Sequence, residues 1–144
     1  MEVHEKKMGR VFRLELKKGE NFPTEIANFA RQKGIKEASI FVHGAIGEGE
    51  IVTGFLSTKE EDLSVRRLGQ KREFMGVGNL TWPAKKPSSM AGESVSWDEP
   101  QPYPHFHLVF GPDVGREQKE ILVGHLLKGV IDPATTVLLY ELLS

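Results

Sequence analysis

The sequence contains no cysteine, and this absence excludes two kinds of structure. Disulfide bonds cannot form, so nothing in the chain indicates an oxidising compartment. Closed structural zinc sites usually use thiolates, so a transition metal here would have to be bound by imidazole and carboxylate groups. Long apolar runs are also missing, and none approaches the roughly 20 residues that a membrane-spanning helix needs. The charged segment 1–7 lacks the apolar core of a signal peptide, and we expect a cytoplasmic protein without membrane contact.

An excess of positive charge is equally absent. The chain has 19 Lys and Arg against 20 Asp and Glu, which gives a formal net charge of −1. A nucleic-acid-binding domain is expected to show a basic stripe and a raised isoelectric point, so DNA is not the expected partner. The 144 residues, 39% hydrophobic and 27% charged, are typical of an ordinary globular protein. We therefore expect residues 1–144 to form a single domain with its own core.

Apolar periodicity predicts one helix among several strands. Side chains alternate between apolar and polar over residues 10–17, as in a half-buried strand. Residues 22–33 show helical spacing, with Pro23 suited to the first turn and Gly34 to the position after the last turn. Further strands are predicted over residues 35–43, 51–56, 63–68, 72–82, 121–131 and 135–143. This pattern predicts an α+β fold, in which one helix packs on a mostly antiparallel, barrel-like β-sheet.

Segments rich in Gly or Pro are predicted to separate these strands. The glycines of residues 43–50 favour a tight turn with close backbone approach, whereas a phosphate-binding loop is disfavoured because no helix follows. Turns are also expected at residues 111–115 and at Asp132-Pro133. Residues 83–104 hold five of the eight prolines. They favour a surface loop with one strand at 93–97, and such a loop can lie over a site.

The segment from Tyr103 to Phe110 carries the most informative chemistry. As a strand it places His105 and His107 on one face and Phe106 on the other. The two imidazoles are then about 7 Å apart at their Cβ atoms, so both rings can approach one ion. With His125 further along the chain, three imidazoles and one open position match a catalytic or ligand-binding zinc site. The pair alone is equally compatible with two polar side chains on a solvated face.

Together these segments resemble the PPC domain family (plants and prokaryotes conserved, also called DUF296). The resemblance runs from about Arg13 to the C-terminus and rests on several short motifs. They are Arg13-Leu14 followed by Gly19-Glu20, the helix with Phe29-Ala30, Gly44-Ala45-Ile46-Gly47, Arg72-Glu73-Phe74-Met75, Gly78-Asn79-Leu80, His105-x-His107, Gly124-His125-Leu126 and Thr135-Thr136.

The resemblance implies an antiparallel sheet with one packed helix, assembled as a homotrimer and similar in fold to acetolactate decarboxylase. It also implies that His105, His107 and His125 bind zinc, as the matching histidines do in prokaryotic members. Other divalent transition metals are possible substitutes at imidazole ligands. Plant members bind DNA through an AT-hook with a Gly-Arg-Pro core, and no Gly-Arg-Pro occurs in this sequence.

Two hypotheses on function follow. In the first, a trimeric zinc protein binds or transforms a small carboxylate or carbonyl compound, and any catalysis would be that of a metal-dependent lyase or hydrolase. In the second, the chain is a DNA-associated regulatory module with a structural metal. Neither the substrate nor the occurrence of turnover follows from the sequence, because fold does not imply function.

Five further residues are candidates for the neighbourhood of the metal. Arg13 and Asn79 are candidate ligand-binding residues, although a surface salt bridge explains the first equally well and a β-bulge the second. Glu50, Glu73 and His43 are candidate acid–base groups. Each of these three is also readily explained as a solvated surface side chain.

Overall fold

The computed structural model describes residues 1–90, 92–112 and 120–144. These residues form one α-helix and six strands, which confirms the predicted α+β class. The elements, in chain order, are β1 (Lys7–Lys17), α1 (Phe22–Lys33), β2 (Ala38–Phe55), β3 (Leu63–Leu68), β4 (Arg72–Thr81), a 3₁₀ turn (Ser88–Met90), β5 (Tyr103–Phe110) and β6 (Leu122–Leu143). None of the described helices has both the length and the apolar character needed to cross a bilayer.

All the strand pairings are antiparallel, and four strands close into a ring. The order in the sheet is β1-β6-β5-β4-β2-β3, and β2 also pairs with β6. The ring exists because β2 and β6 are long: β2 pairs with β4, β3 and β6, while β6 pairs with β1, β2 and β5. Pairing between the two long strands therefore closes the ring, and β1 and β3 remain at the edges of the sheet.

Helix α1 packs its predicted apolar stripe onto the inner surface of this sheet. Phe22, Ile26 and Ala30 are fully buried, and the ring of Phe22 lies 4.6 Å from that of Phe106 on β5. The helix ends at Gly34, whose φ of 67° is left-handed and whose N–H bonds back to the last turn. A left-handed residue at this position favours glycine, which has no Cβ to clash. The predicted helix bounds of 22–33 are confirmed.

Two predicted turns are wrong, because the strands continue through them. Residues 43–50 lie within β2, and their glycines serve close approach instead: a Cβ on Gly44 would clash with Thr135 of β6. Asp132-Pro133 lies within β6. Gly44 pairs with Thr135 and Ile46 with Ile131, so three residues of β6 oppose one of β2. This bulge accommodates the proline, which cannot donate to a ladder.

Residues 83–104, the proline-rich segment, differ from their prediction in one detail. Residues 93–97 form no strand, and among the described residues between β4 and β5 the 3₁₀ turn is the only regular element. The segment is held instead by side chains, since Trp97 Nε1 donates to the carbonyl of Pro83 at 2.9 Å. The turn predicted at 111–115 lies mostly outside the described residues.

One partly buried ion pair joins the first and last strands to the helix. The Glu141 carboxylate on β6 accepts hydrogen bonds from Arg10 Nε at 2.7 Å, Arg10 Nη2 at 2.9 Å and the Arg10 backbone N–H at 3.1 Å. Arg10 Nη2 also donates to the carbonyl of Lys33 at the end of α1. These hydrogen bonds lower the pKa of Glu141 to about 2, because they favour its charged form.

This pair is expected to make stability depend on pH. The folded pKa of Glu141 lies below its ordinary 4.5, so its stabilising contribution is complete above about pH 4.5 and is lost as the pH falls towards 2. We expect the urea midpoint of Glu141→Gln to fall less steeply than that of the wild type over this interval. Glu5→Gln, at an exposed carboxylate near the N-terminus, is the control. Equal steepness in Glu141→Gln and the wild type would contradict the assignment.

Candidate metal centre

The metal candidates come together because β5 and β6 are direct neighbours in the ring. His107 on β5 is the register partner of His125 on β6, and His105 lies two residues before His107 on the same face. Ring centroids are 4.5 Å apart for His105 and His125, 4.8 Å for His105 and His107, and 6.1 Å for His107 and His125. One ring nitrogen from each residue lies within 4.8 Å of the others. The structure therefore brings all three predicted residues to one point.

The nitrogens of the cluster face one another. The Nε2 atoms of His105 and His107 are 3.0 Å apart, so at most one of them carries the proton between them. Burial and the neighbouring His107 lower the pKa of His105. Burial is the main cause that lowers the pKa of His125 to about 4, and the neighbouring His105 and His107 add to this effect. His105 and His125 are therefore neutral at pH 7, which is the form that ligates metals.

His125 also lacks the hydrogen bonds that a buried histidine normally has. Only 7% of its surface is exposed, and its Nδ1 is buried without a partner among the described residues. Its Nε2 meets the Tyr103 hydroxyl at 3.3 Å, which is long for a hydrogen bond. Buried polar atoms in folded proteins are nearly always paired. Three convergent imidazoles, one of them with an unpartnered buried nitrogen, fit a divalent transition metal.

A cavity of about 550 Å³ opens beside the three histidines. Its size is within the range of small-molecule sites. The end of β2, the segment around Leu63 and the 3₁₀ turn of the proline-rich segment form its other walls. That segment therefore does lie over the site, as its composition predicted.

Tyr103 and Ser89 are site residues that the sequence did not single out. The Tyr103 hydroxyl lies 2.5 Å from Ser89 Oγ, and the Tyr103 ring stacks on His105 with centroids 5.7 Å apart. Burial raises the pKa of Tyr103, and the Ser89 contact partly opposes this. The period-two alternation of β5 places Tyr103 on the face of His105 and could have identified it. Nothing in the sequence pattern points to Ser89.

The five other candidates do not line this cavity. Arg13 bonds Glu15 at 2.5 Å, and Glu50 pairs with Arg67 at 3.4 Å and with Lys128 at 3.8 Å. Asn79 is the exposed register partner of His105. His43 and Glu73 line a separate recess beside Pro133. Their roles at the metal therefore stay predictions. Asn79 lies beside His105 without lining the cavity, and the other four lie in other parts of the structure.

Next to the histidines, the outer surface of the sheet is apolar and exposed. Phe41 on β2 pairs with Val77 on β4, and Val77 pairs with His107. The exposed sheet face consists of Phe41, Met75, Val77, Val109 and Val123, which are 43–64% exposed. Contiguous apolar patches of this kind on a protein surface mark interaction sites.

Solved structures with the same fold come from archaea and bacteria. A plant- and prokaryote-conserved (PPC) protein of Pyrococcus horikoshii is 23% identical, with a TM-score of 0.77 over 100% of this chain and 86% of that one. A metal-containing protein of Archaeoglobus fulgidus is 25% identical, with a TM-score of 0.76 over 100% and 87%. A candidate DNA-binding protein of Bacteroides thetaiotaomicron is 20% identical, with a TM-score of 0.65 over 94% and 83%. None of the three is an acetolactate decarboxylase, and that similarity stays a prediction.

Sequence comparison places the chain in a family. No curated protein matches it significantly. The Plants and Prokaryotes Conserved (PCC) domain matches residues 3–142, nearly the whole chain. This agrees with the motifs of the sequence and with the shared fold of the solved structures. The chain belongs to the Plants and Prokaryotes Conserved domain family.

Proposed function

We propose that this protein binds a divalent transition metal, zinc in the first place, through His105, His107 and His125, and uses it to bind or transform a small carboxylate or carbonyl compound. One observation carries the proposal: three imidazole nitrogens from two strands converge within 4.8 Å at the wall of a cavity. A solved structure of the same fold, 25% identical, is that of a metal-containing protein. Imidazole suits Zn²⁺, and Ni²⁺, Co²⁺ or Fe²⁺ are possible substitutes.

The bound ion would supply a Lewis acid, which polarises a carbonyl or lowers the pKa of a bound water. The residues of the chain supply the rest. His105, His107 and His125 would hold the ion at the wall of the cavity. Turnover by a metal-dependent lyase or hydrolase would also require a proton-transfer group. Glu60 lines the cavity, whereas the predicted acid–base candidates do not.

The proposal extends to assembly and location. We propose a homotrimer whose subunits contact one another through the exposed sheet face, because such contact would cover apolar side chains that water now meets. This face adjoins His107, which would place the metal near a subunit boundary. We treat residues 1–144 as one domain and the protein as cytoplasmic, consistent with the charge and hydropathy of the sequence.

The direct test is titration of purified, chelator-treated protein with Zn²⁺, Co²⁺ and Mg²⁺ by calorimetry. We expect one Zn²⁺ per chain, weaker binding of Co²⁺ and no measurable binding of Mg²⁺, which prefers oxygen ligands. Sedimentation of the same preparation should give three times the chain mass. Absence of Zn²⁺ binding would contradict the metal proposal, and a monomer would contradict the trimer.

A DNA-associated module with a structural metal is the second candidate, since one protein with this fold is a candidate DNA-binding protein. The charge pattern argues against it: Arg10, Arg13 and Arg67 are each paired with a glutamate. A gel-shift titration at physiological salt separates the two candidates. Binding tighter than about 10⁻⁶ M would exceed ordinary non-specific affinity and would favour DNA.

A further inference from the structure

We infer that the ligand of the cavity beside the three histidines is a monocarboxylate with an uncharged apolar body, and that Tyr103 and Ser89 orient its carboxylate. This inference rests on the proposed metal site and narrows the class of molecule that the site accepts. The composition of the cavity walls and the position of two hydroxyl groups carry it.

The walls of the cavity are mostly apolar. Val52, Phe55, Leu63, Pro87 and Val123 line it. The Phe55 side chain is 70% exposed although it lines the cavity. An apolar ligand body would remove this surface from water, at a gain of about 25 cal/mol per Å². The walls therefore favour a hydrocarbon-like body over a hydrated one.

The charges around the cavity exclude a second anionic group. Among the described residues, no Lys or Arg lines the cavity, and its only carboxylate is that of Glu60. The nearby Lys128 is engaged with Glu50 at 3.8 Å and with Glu93 at 3.3 Å. A phosphate or second carboxylate would lose its hydration without gaining a cationic partner, and this desolvation costs free energy. Among the described residues of one subunit, the metal held by the histidines would be the source of positive charge for one carboxylate.

Two hydroxyl groups stand where that carboxylate has to lie. Tyr103 Oη is 3.3 Å from His125 Nε2 and 2.5 Å from Ser89 Oγ. A neutral imidazole has a single nitrogen lone pair. If a metal takes that lone pair, His125 can no longer accept a hydrogen bond from Tyr103, and the Tyr103 hydroxyl can donate to a ligand oxygen instead. Ser89 then fixes the direction of the hydroxyl. Tyr103 is thus a group that contacts the ligand, and Ser89 is a positioning residue.

Binding of a matched series of anions to the zinc-loaded protein tests the inference by calorimetry. The probes are acetate, cyclohexanecarboxylate, cyclohexane-1,4-dicarboxylate and inorganic phosphate. Cyclohexanecarboxylate is expected to bind at least about tenfold more tightly than acetate, because it buries more apolar surface. It is also expected to bind more tightly than the dicarboxylate and phosphate, which lack a partner for their additional charge.

Three variants and one control show which residues are responsible for the preference. Tyr103→Phe should weaken cyclohexanecarboxylate binding about tenfold, the value of one hydrogen bond to a charged group, and should leave the Zn²⁺ affinity unchanged. Ser89→Ala should have a smaller effect in the same direction. Phe55→Lys adds a cation to the wall and should shift the preference towards the dicarboxylate. Leu56→Lys, at the adjacent exposed residue outside the cavity, is its matched control.

Different results would contradict the ligand inference and the metal proposal. If Zn²⁺ binds but the dicarboxylate or phosphate binds more tightly than cyclohexanecarboxylate, or no carboxylate binds, this inference is overturned and the metal proposal stands. An unchanged affinity in Tyr103→Phe overturns the role of the hydroxyl. If Zn²⁺ does not bind, both proposals fall together, and the metal titration alone reveals it.

Discussion

Replacing His125 with alanine is expected to abolish stoichiometric binding of zinc. His105 and His107 lie on one strand, and His125 is the sole ligand that comes from β6. Two imidazoles bind an ion more weakly than three. Loss of a residue that only hydrogen-bonds to a ligand lowers metal affinity by up to about 100-fold, so loss of a ligand itself should lower the zinc affinity by at least that factor. The measurement is zinc content after dialysis, together with a calorimetric titration.

The chain offers a matched control for this variant. His43 is also a histidine on a ring strand, but it lines a separate recess beside Pro133. His43→Ala should therefore retain one zinc per chain. Circular dichroism should show that both variants are folded, which separates loss of a ligand from loss of the fold. Full zinc stoichiometry in His125→Ala would refute the ligand set.

Replacing Phe106 with alanine is expected to cost about 3–5 kcal/mol of unfolding free energy, the usual range for a large buried aromatic. Phe106 is fully buried, and its ring packs on Phe22 at 4.6 Å. Single domains are stable by only about 5–15 kcal/mol, so this loss is a large fraction of the total. Urea denaturation followed by the fluorescence of the two tryptophans measures it.

Phe106 also links the core to the metal site, because it lies between His105 and His107 on β5. Loss of its ring should loosen the strand and weaken zinc binding, even where the variant remains folded. Phe55→Ala, at a phenylalanine that is 70% exposed, should change the unfolding free energy by less than about 0.5 kcal/mol. A Phe106→Ala variant as stable as Phe55→Ala would contradict the packing described here.

The local elements were predictable from the sequence because short-range periodicity determines them. Residues 22–33 form the helix with the expected bounds, since their apolar spacing and Gly34 act within a few turns. The alternation in β5 places Phe106 in the core and His105 and His107 on the other face, because strand side chains alternate regardless of tertiary contacts. The histidines that converge were also recognisable by residue type and by family resemblance.

Long-range pairing decided what the sequence did not predict. Gly44 and Asp132-Pro133 have the composition of turns, yet ladder hydrogen bonds between β2 and β6 extend both strands through them, and a bulge absorbs the proline. The contact of Ser89 with Tyr103 arises only when the proline-rich segment folds over β5.

The sequence by itself determined the helix, most strands, the buried faces of β1, of the start of β2 and of β5, and the chemistry of three imidazoles. The tertiary structure alone decided that β6 lies against β5, that Ser89 contacts Tyr103 beside the histidines, and that the five other candidates lie outside the cavity (Arg13, Glu50, Glu73, His43 and Asn79). The physical reason is that residue spacing acts over a few positions along the chain, whereas a site depends on which strands become neighbours, and the whole core selects that pairing.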